Sequence, residues 1–143
     1  MKYIGLVVSA IGVFLIILVN LYYNSVTLDM QKIKDYVFET NIILEDILEK
    51  EEHVKEKKDE YISRLASIKK GMINSKTTFL ISEYKEYKIK SIDSLIQSIS
   101  ENKDKEKHLE DVDKYNSLCD EELDKLASKS FREVTYLSAI TYT

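Results

Sequence analysis

The two histidines, His53 and His108, are the side chains best suited to chemistry, because imidazole binds metal ions and exchanges protons near neutral pH. Carboxylates lie close to each in the sequence: Glu49, Glu52 and Glu56 near the first, Asp104 and Asp111 near the second. Di-iron helical bundles, however, carry a glutamate three residues before each histidine. Here those positions hold Lys50 and Lys105, so the spacing predicts solvated histidines and no metal site.

Catalysis by paired carboxylates is not indicated either. Glu51–Glu52 and Glu121–Glu122 are neighbours in the sequence, and adjacent residues on a helix do not face each other. The chain has no glycine-rich phosphate loop and no Ser/His/Asp or Cys/His set in a cleft-forming context. We therefore expect neither enzyme activity nor a cofactor.

Three tyrosines and one cysteine remain as candidates for a binding site. Tyr61, Tyr84 and Tyr87 could line a small ligand pocket between helices, although side chains at this spacing more often form ordinary core. Cys119 is the only cysteine, which excludes an intrachain disulfide and leaves a disulfide between chains open. We expect Cys119 to be a small buried apolar residue.

The elements that position these side chains are predicted to be helices. Proline is absent from the 143 residues and glycine occurs three times, so the chain lacks the turn residues that β-rich folds require. The formal net charge is −4, and the 21 basic residues are interspersed with 25 acidic ones. This balance argues against a nucleic-acid-binding face, and the composition predicts an all-α fold.

Residues 1–24 are predicted to be a transmembrane anchor. From Tyr3 to Tyr23 the chain carries no charge. A helix of that length measures about 31 Å, which matches the hydrocarbon core of a bilayer. Tyrosines at both ends suit the aromatic belts of the two interfaces. The apolar run is longer than that of a cleaved signal peptide and lacks a small-residue cleavage site, so we expect an uncleaved signal-anchor.

The positive charges near this anchor indicate its orientation. Lys2 and the α-amino group lie at its N-terminal edge, whereas Lys32 and Lys34 follow the anchor only after Asp29. Positive charge beside a span favours the cytoplasmic side. The sequence therefore favours a single-pass protein of the cell membrane, with residues 25–143 as a soluble domain on the extracytoplasmic face.

An apolar stripe continues from the anchor into the soluble part in alternating steps of four and three residues. Of its 16 positions from Val19 to Met72, only Thr40, Glu51 and Lys58 are polar. This persistence predicts one helix over about 26–70 with a coiled-coil seam. The seam consists of Met30, Ile33, Val37, Leu44, Ile47, Val54, Tyr61, Leu65 and Ile68.

Within the anchor, the same stripe collects the small residues Gly5, Ser9 and Gly12. Small residues on one helix face let two helices approach closely in lipid. The pattern predicts a membrane helix-pairing face, and with it a homodimer in which the anchor and the seam share one register.

Two further helices are predicted over about 78–100 and 105–140, with the first turn near Gly71 and the polar run Asn74–Thr78. Three helices joined by short loops should form an antiparallel three-helix bundle. The second helix is too short to cover the first, so Val26–Ile47 would stand free as an apolar stalk of about 33 Å. Unless the turns lie elsewhere than proposed here, this mismatch predicts a protein partner or a homodimer through the coiled-coil stalk.

The C-terminal residues 134–143 carry no charged side chain. Such a tail either docks into another protein, or it frays or folds back on its own bundle, and we expect one of the latter two arrangements.

These patterns favour a membrane-anchored helical bundle that acts by protein–protein interaction, as a scaffold, assembly or adaptor protein. One alternative is a ligand-sensing or receptor-type module, which would need a membrane partner because only Met1 and Lys2 lie beyond the anchor. The other alternative is a secreted helical effector that is released by cleavage of a signal peptide.

Overall fold

The computed structural model describes residues 2–101 and 103–142, and every regular element within those ranges is helical. The elements are α1 Lys2–Glu49, α2 Glu51–Glu56, α3 Lys58–Asn74, a 3-10 turn at Phe79–Ile81, α4 Ser82–Ser100, α5 Lys105–Ser128 and α6 Phe131–Thr141. The predicted all-α class is therefore confirmed for the described residues.

The first helix, α1, is 48 residues long and joins the apolar segment to the charged part of the chain. Residues 13–49 contain neither proline nor glycine, the two residues that most weaken a helix interior. The helix accordingly continues past Tyr23 without a break. The predicted anchor and the folded domain thus share one continuous helix.

The chain reverses direction between α1 and α3. Lys50 and Lys57 both depart from helical dihedral angles, with φ/ψ of −127°/49° and −109°/29°. After these two bends α3 returns along α1, where the Tyr61 hydroxyl donates to Asp46 Oδ2 at 2.8 Å. The two helices therefore form an antiparallel hairpin.

This hairpin replaces the single helix predicted over about 26–70. The bends involve no proline or glycine, which is why the sequence pattern predicted none. Their position coincides with Glu51 and Lys58, two of the polar positions in the stripe, and the short helix between them buries only Val54. A helix without an apolar face is not held against a neighbouring helix by hydrophobic packing. The chain can therefore bend here, because packing of α1 against α3 stabilises the bent arrangement.

The link between α3 and α4 is attached to α1 by a buried carboxylate. Helix α3 continues through Gly71 and ends at Asn74, so the link to α4 lies in the polar run Asn74–Thr78 where a turn was predicted. Asp29 is 1% exposed, and its Oδ2 accepts hydrogen bonds from the backbone N–H and the hydroxyl of Thr78, at 2.8 and 2.6 Å. Thr78 Oγ1 in turn accepts from the N–H of Leu80 and begins the 3-10 turn.

Helices α4 and α5 form the most extensive antiparallel pair. Ser91, Ser94 and Ser98 of α4 are all buried, and small side chains at such a face allow close packing. On its other side α4 pairs with α3, where Lys69 Nζ lies 2.6 Å from Asp93 Oδ1. The chain thus forms four antiparallel helices where a three-helix bundle was expected, namely α1, α3, α4 and α5.

The helix predicted over about 105–140 is divided into two. It begins at Lys105 as expected, but α5 ends at Ser128 and a new helix is capped by Ser130. Ser130 Oγ accepts from the N–H of Glu133, and the Glu133 carboxylate accepts from the N–H of Ser130 at 2.9 Å. Ser-x-x-Glu is the sequence signature of such a capping box, but here it lies inside the apolar stripe of the predicted third helix, and the stripe alone predicts no break.

The new helix α6 packs on α1. Ser138 Oγ donates to the carbonyl oxygen of Leu18 at 2.7 Å, and the hydroxyls of Tyr142 and Ser25 are hydrogen-bonded. As far as Tyr142, the uncharged C-terminal tail therefore folds back on its own bundle, as expected.

The core is built from the hairpin and its two neighbours, α4 and α5. Its fully buried apolar side chains include Ile33, Ile43, Leu65, Met72, Ile92 and Leu95. The segment Val26–Ile47 is thus covered by helices of the same chain. The prediction of a free-standing stalk is wrong, because the chain makes an additional reversal at 50–57, before the predicted turn at Asn74–Thr78.

Candidate membrane and partner surfaces

The first part of α1 has no protein packed around it. Its exposed large apolar side chains are Tyr3, Ile4, Leu6, Val7, Val8, Ile11, Val13, Phe14, Ile16 and Ile17. Of the described helices, α1 alone is long and apolar enough to cross a membrane, and none of its most apolar window is buried. This exposure distinguishes α1 from the core helix of a soluble protein, whose apolar residues are covered.

The predicted helix-pairing residues lie on this uncovered part. Gly5 and Ser9 are exposed and Gly12 is half-exposed. A Cβ atom added at Gly5 or Gly12 would have no neighbour within 4 Å. The face is open in one chain, but α6 covers part of α1 from Leu15 onward. A second copy can approach closely only over about the first three turns.

The predicted seam lies inside the chain. Its buried members are Ile33, Ile47, Val54, Tyr61, Leu65 and Ile68, and its half-buried members are Met30, Val37 and Leu44. They belong to the two arms of the α1–α3 hairpin and to the bend between them. A second copy cannot use these side chains without opening the fold.

A different apolar pair remains on the outside of α1. Phe38 is 64% exposed and Ile42 is 37% exposed. Residues four apart are neighbours on a helix surface, so the two side chains form one patch. They fall outside the apolar stripe, so the periodicity gave no reason to select them. This Phe38–Ile42 patch is an exposed apolar surface on the domain part of α1.

A polar cluster lies between α4 and α5. Lys88 is only 6% exposed, and its ammonium donates to Asn116 Oδ1 at 3.0 Å. The Ser91 hydroxyl donates to the same oxygen at 3.1 Å. Burial lowers the pKa of Lys88, against smaller opposing effects of Cys119 and Asp120. One amide oxygen thus accepts both of these hydrogen bonds from α4.

The thiol of Cys119 lies beside this cluster, and its expected burial is confirmed. Its Sγ lies 3.7 Å from the carbonyl oxygen of Tyr84. Burial raises the pKa of Cys119 to about 11, so the thiol is protonated at neutral pH. A buried, protonated thiol is a poor nucleophile, and this one does not reach the surface where a second chain could pair with it.

Replacing Asn116 with Leu should lower the free energy of unfolding by about 1 kcal/mol, because the buried Lys88 ammonium loses its acceptor. Urea unfolding of the full chain in detergent, followed by circular dichroism, measures the change. The matched control combines Asn116→Leu with Lys88→Met, which removes the charged group that needs an acceptor. Only the Ser91 hydroxyl then lacks its acceptor, so the control should recover most of the loss. Equal destabilisation of the single and double variants would contradict this account.

The histidines do not come together. The ring of His53 packs edge-on against Tyr61 with centroids 6.4 Å apart, whereas His108 Nε2 lies 3.2 Å from Glu101 Oε2. Within residues 2–101 and 103–142, no three His, Cys, Asp or Glu side chains are grouped as metal ligands.

The three tyrosines considered as pocket residues also lie in different places. Tyr61 is hydrogen-bonded to Asp46 in the hairpin. Tyr84 is buried near Cys119, and burial raises its pKa to about 12. The half-buried Tyr87 has the Lys90 ammonium 5.9 Å from its ring centroid.

A cavity of about 240 Å³ lies at the end of the bundle away from the apolar segment. Apolar side chains of Ile47, Val54 and Ile99 line it together with Glu51, Lys55, Lys58 and Lys105. Lys105 and Lys55 lie 2.8 and 3.1 Å from Glu51, and they lower its pKa to about 2. Lys58 donates to the carbonyl oxygen of Ser100. Each lysine around the cavity therefore already has a partner.

No protein-family model, curated protein or solved structure matches the chain. Its function is therefore inferred from its own fold and surfaces.

Proposed function

We propose that the chain is a single-pass membrane protein whose apolar segment holds a helical protein-interaction domain against the bilayer. The observation that supports this proposal is a difference in burial between the first part of α1 and the rest of the same helix. Ten large apolar side chains between Tyr3 and Ile17 are exposed, whereas Ile33 and Ile43 of the same helix are fully buried in the domain. Transfer of each exposed side chain from water to lipid is worth about 1.5–3 kcal/mol.

Contacts near the end of the apolar segment support its retention in the mature protein. The Tyr22 hydroxyl donates to the carbonyl oxygen of Leu126 at 3.0 Å, and Ser138 bonds to Leu18. Cleavage after Tyr23 would remove both partners and uncover the buried side of α6. These contacts favour a signal-anchor over a secreted effector.

The proposed orientation places the domain on the extracytoplasmic face. Lys2 and the α-amino group flank the N-terminal end of the span. The fold brings Lys129 and Arg132 near the other end, but both lie more than a hundred residues later in the sequence. Orientation is decided by charges close to the span in sequence, so the N-terminal charges carry more weight.

The Phe38–Ile42 patch is the proposed contact with a protein partner. Phe38 lies 15 residues beyond Tyr23 on the same helix. At 1.5 Å per residue, this places the patch about 22 Å above the end of the apolar segment. The span would thus present the patch at a fixed height above the bilayer, as a scaffold or adaptor protein requires.

A double variant, Val8→Lys with Val13→Lys, should lose stable membrane association. Both positions are exposed, so the charges should not disturb the domain. Each charge near the middle of a span costs about 2.5–3.5 kcal/mol. Alkaline carbonate extraction of membranes measures retention, and intact mass shows whether the N-terminal segment is still present. We expect the unmodified chain in the pellet at full mass and the variant in the supernatant.

The matched control, Phe38→Lys with Ile42→Lys, adds two charges to the water-exposed part of the same helix. It should stay in the pellet and lose the crosslinked products that a photoreactive group at position 35 gives in the unmodified chain. Release of the unmodified chain by carbonate, or a mass that lacks the apolar segment, would contradict the anchor. Identical crosslinks in both proteins would contradict the role of the patch.

A further inference from the structure

We propose that α6 is a second lipid-contacting element, which enters the same leaflet as the domain-side end of the apolar segment. This inference rests on the membrane anchoring proposed above. Leu18 of α1 bonds to Ser138 of α6, and Ser25 of α1 bonds to Tyr142, the residue that follows α6, so the contacts occur in the same order along both segments. Helix α6 therefore lies beside α1 and runs in the same direction.

The level of these contacts falls inside the predicted span. Leu18 lies five residues before Tyr23, which is about 8 Å inside the end of the apolar segment. Leu15, almost one turn deeper, shares a groove with Thr135 and Tyr136 of α6. A hydrocarbon layer that extends to Tyr23 must therefore also reach α6.

The outward face of α6 suits a lipid environment. Val134 and Ser138 are buried, whereas Phe131 and Tyr136 are 56% and 66% exposed. No charged side chain occurs from Val134 to Tyr142. A helix on a water-exposed surface carries polar residues outward, whereas a helix that is apolar on both sides belongs in a protein core or in lipid. Phenylalanine and tyrosine at this level match the aromatic belt of a membrane interface.

Charges at the first turn of α6 limit how deeply it enters. Lys129, Arg132 and Glu133 lie at the end of α6 nearer the bilayer centre, where Arg132 and Glu133 border Leu15. Charge is costly at the centre and much less so near the interface, where long side chains reach the headgroups and the bilayer can thin. We therefore place α6 close to the headgroups, with the leaflet thinned around its first turn.

A second copy of the chain is the competing occupant of this face. Lipid is favoured because Tyr136 borders Leu15 and Leu18, on the helix that is itself proposed to cross the bilayer. The exposed aromatic side chains of α6 thus continue the lipid-facing surface of α1. A partner protein would have to occupy this surface at the expense of lipid.

Single tryptophans test the proposal, because the natural sequence contains none. Three full-length variants, Tyr136→Trp, Phe14→Trp and Phe38→Trp, are reconstituted in phosphatidylcholine–phosphatidylglycerol vesicles with and without brominated acyl chains. All three positions are exposed, so the fold should tolerate the larger ring. We expect several-fold quenching by bromine at positions 14 and 136, a blue-shifted emission at both, and neither effect at position 38.

Each outcome has one meaning. Quenching at position 14 without quenching at position 136 overturns the role of α6 and leaves the anchor intact. The absence of quenching at both positions overturns the anchor as well. A blue shift without quenching at position 136 shows that a second copy covers α6, and it also overturns the proposal. If Tyr136→Trp loses helical content by circular dichroism, Phe131→Trp provides the same measurement one turn earlier.

Discussion

Replacing Asp29 with Ala should lower the free energy of unfolding by about 3 kcal/mol, because two hydrogen bonds from Thr78 to a buried carboxylate are lost together with the ion pair to Lys32. The backbone N–H of Thr78 would also be left without its acceptor. Asp29 is almost fully buried, so water cannot easily replace the lost oxygen. Urea unfolding in detergent, monitored by circular dichroism at 222 nm, measures the change.

Two variants give this prediction its controls. Asp29→Asn keeps an acceptor oxygen and removes the charge, so it should lose less stability than Asp29→Ala. Asp35→Ala removes an exposed carboxylate from the same helix and should change stability by less than about 0.5 kcal/mol. If Asp29→Ala is no more destabilising than Asp35→Ala, Asp29 does not hold the link between α3 and α4.

Replacing Gly71 with Ala should destabilise the fold by about 2 kcal/mol, although alanine is normally the better helix former. A Cβ atom at position 71 would lie 2.5 Å from Cε1 of the Tyr36 ring. Glycine at this position therefore makes room for the Tyr36 ring, which would have to shift if alanine replaced it, and it does not serve a turn. The same urea titration measures the loss.

Gly71→Ala should stabilise the fold, and not destabilise it, when the Tyr36 ring is removed. In a Tyr36→Ala background the added methyl group has room, so Gly71→Ala should stabilise the chain by about 0.5–1 kcal/mol. In the straight helix that the sequence predicted, the two residues would lie about 50 Å apart and could not interact. Additive effects of the two substitutions would therefore argue for the straight helix and against the hairpin.

The sequence predicted part of the buried face of the hairpin, but neither all of its members, since Ile43 lies off the stripe and is fully buried, nor what covers that face. Ile33, Ile47 and Leu65 fall on one stripe, and all three are buried. The periodicity shows only that one face of the helix is apolar. The same periodicity results whether a second chain or the returning arm of a hairpin covers that face. The bends at Lys50 and Lys57 involve no proline or glycine, so only the polar residues Glu51 and Lys58 indicated an interruption.

The C-terminal region shows a similar limit. The start of α5 at Lys105 agrees with its prediction, because a run of polar residues precedes it. The division at Lys129–Ser130 was missed, although Ser130 and Glu133 have the spacing of a capping box. The sequence could not predict where α6 packs on α1, because that position depends on where the reversal at 50–57 places α5. The Phe38–Ile42 patch was missed because exposure depends on which faces the other helices cover.

The unbroken passage of α1 from apolar segment to domain has a mechanical consequence. From Tyr23 to Glu49 the helix extends about 39 Å, so in the proposed membrane-anchored arrangement any tilt of the span is transmitted along this length to the far end of the domain. A change of about 10° in the tilt of the span, as a thinner or thicker bilayer can impose, would swing the far end sideways by about 7 Å. The domain should therefore report the thickness of the membrane as a displacement of its outermost bend.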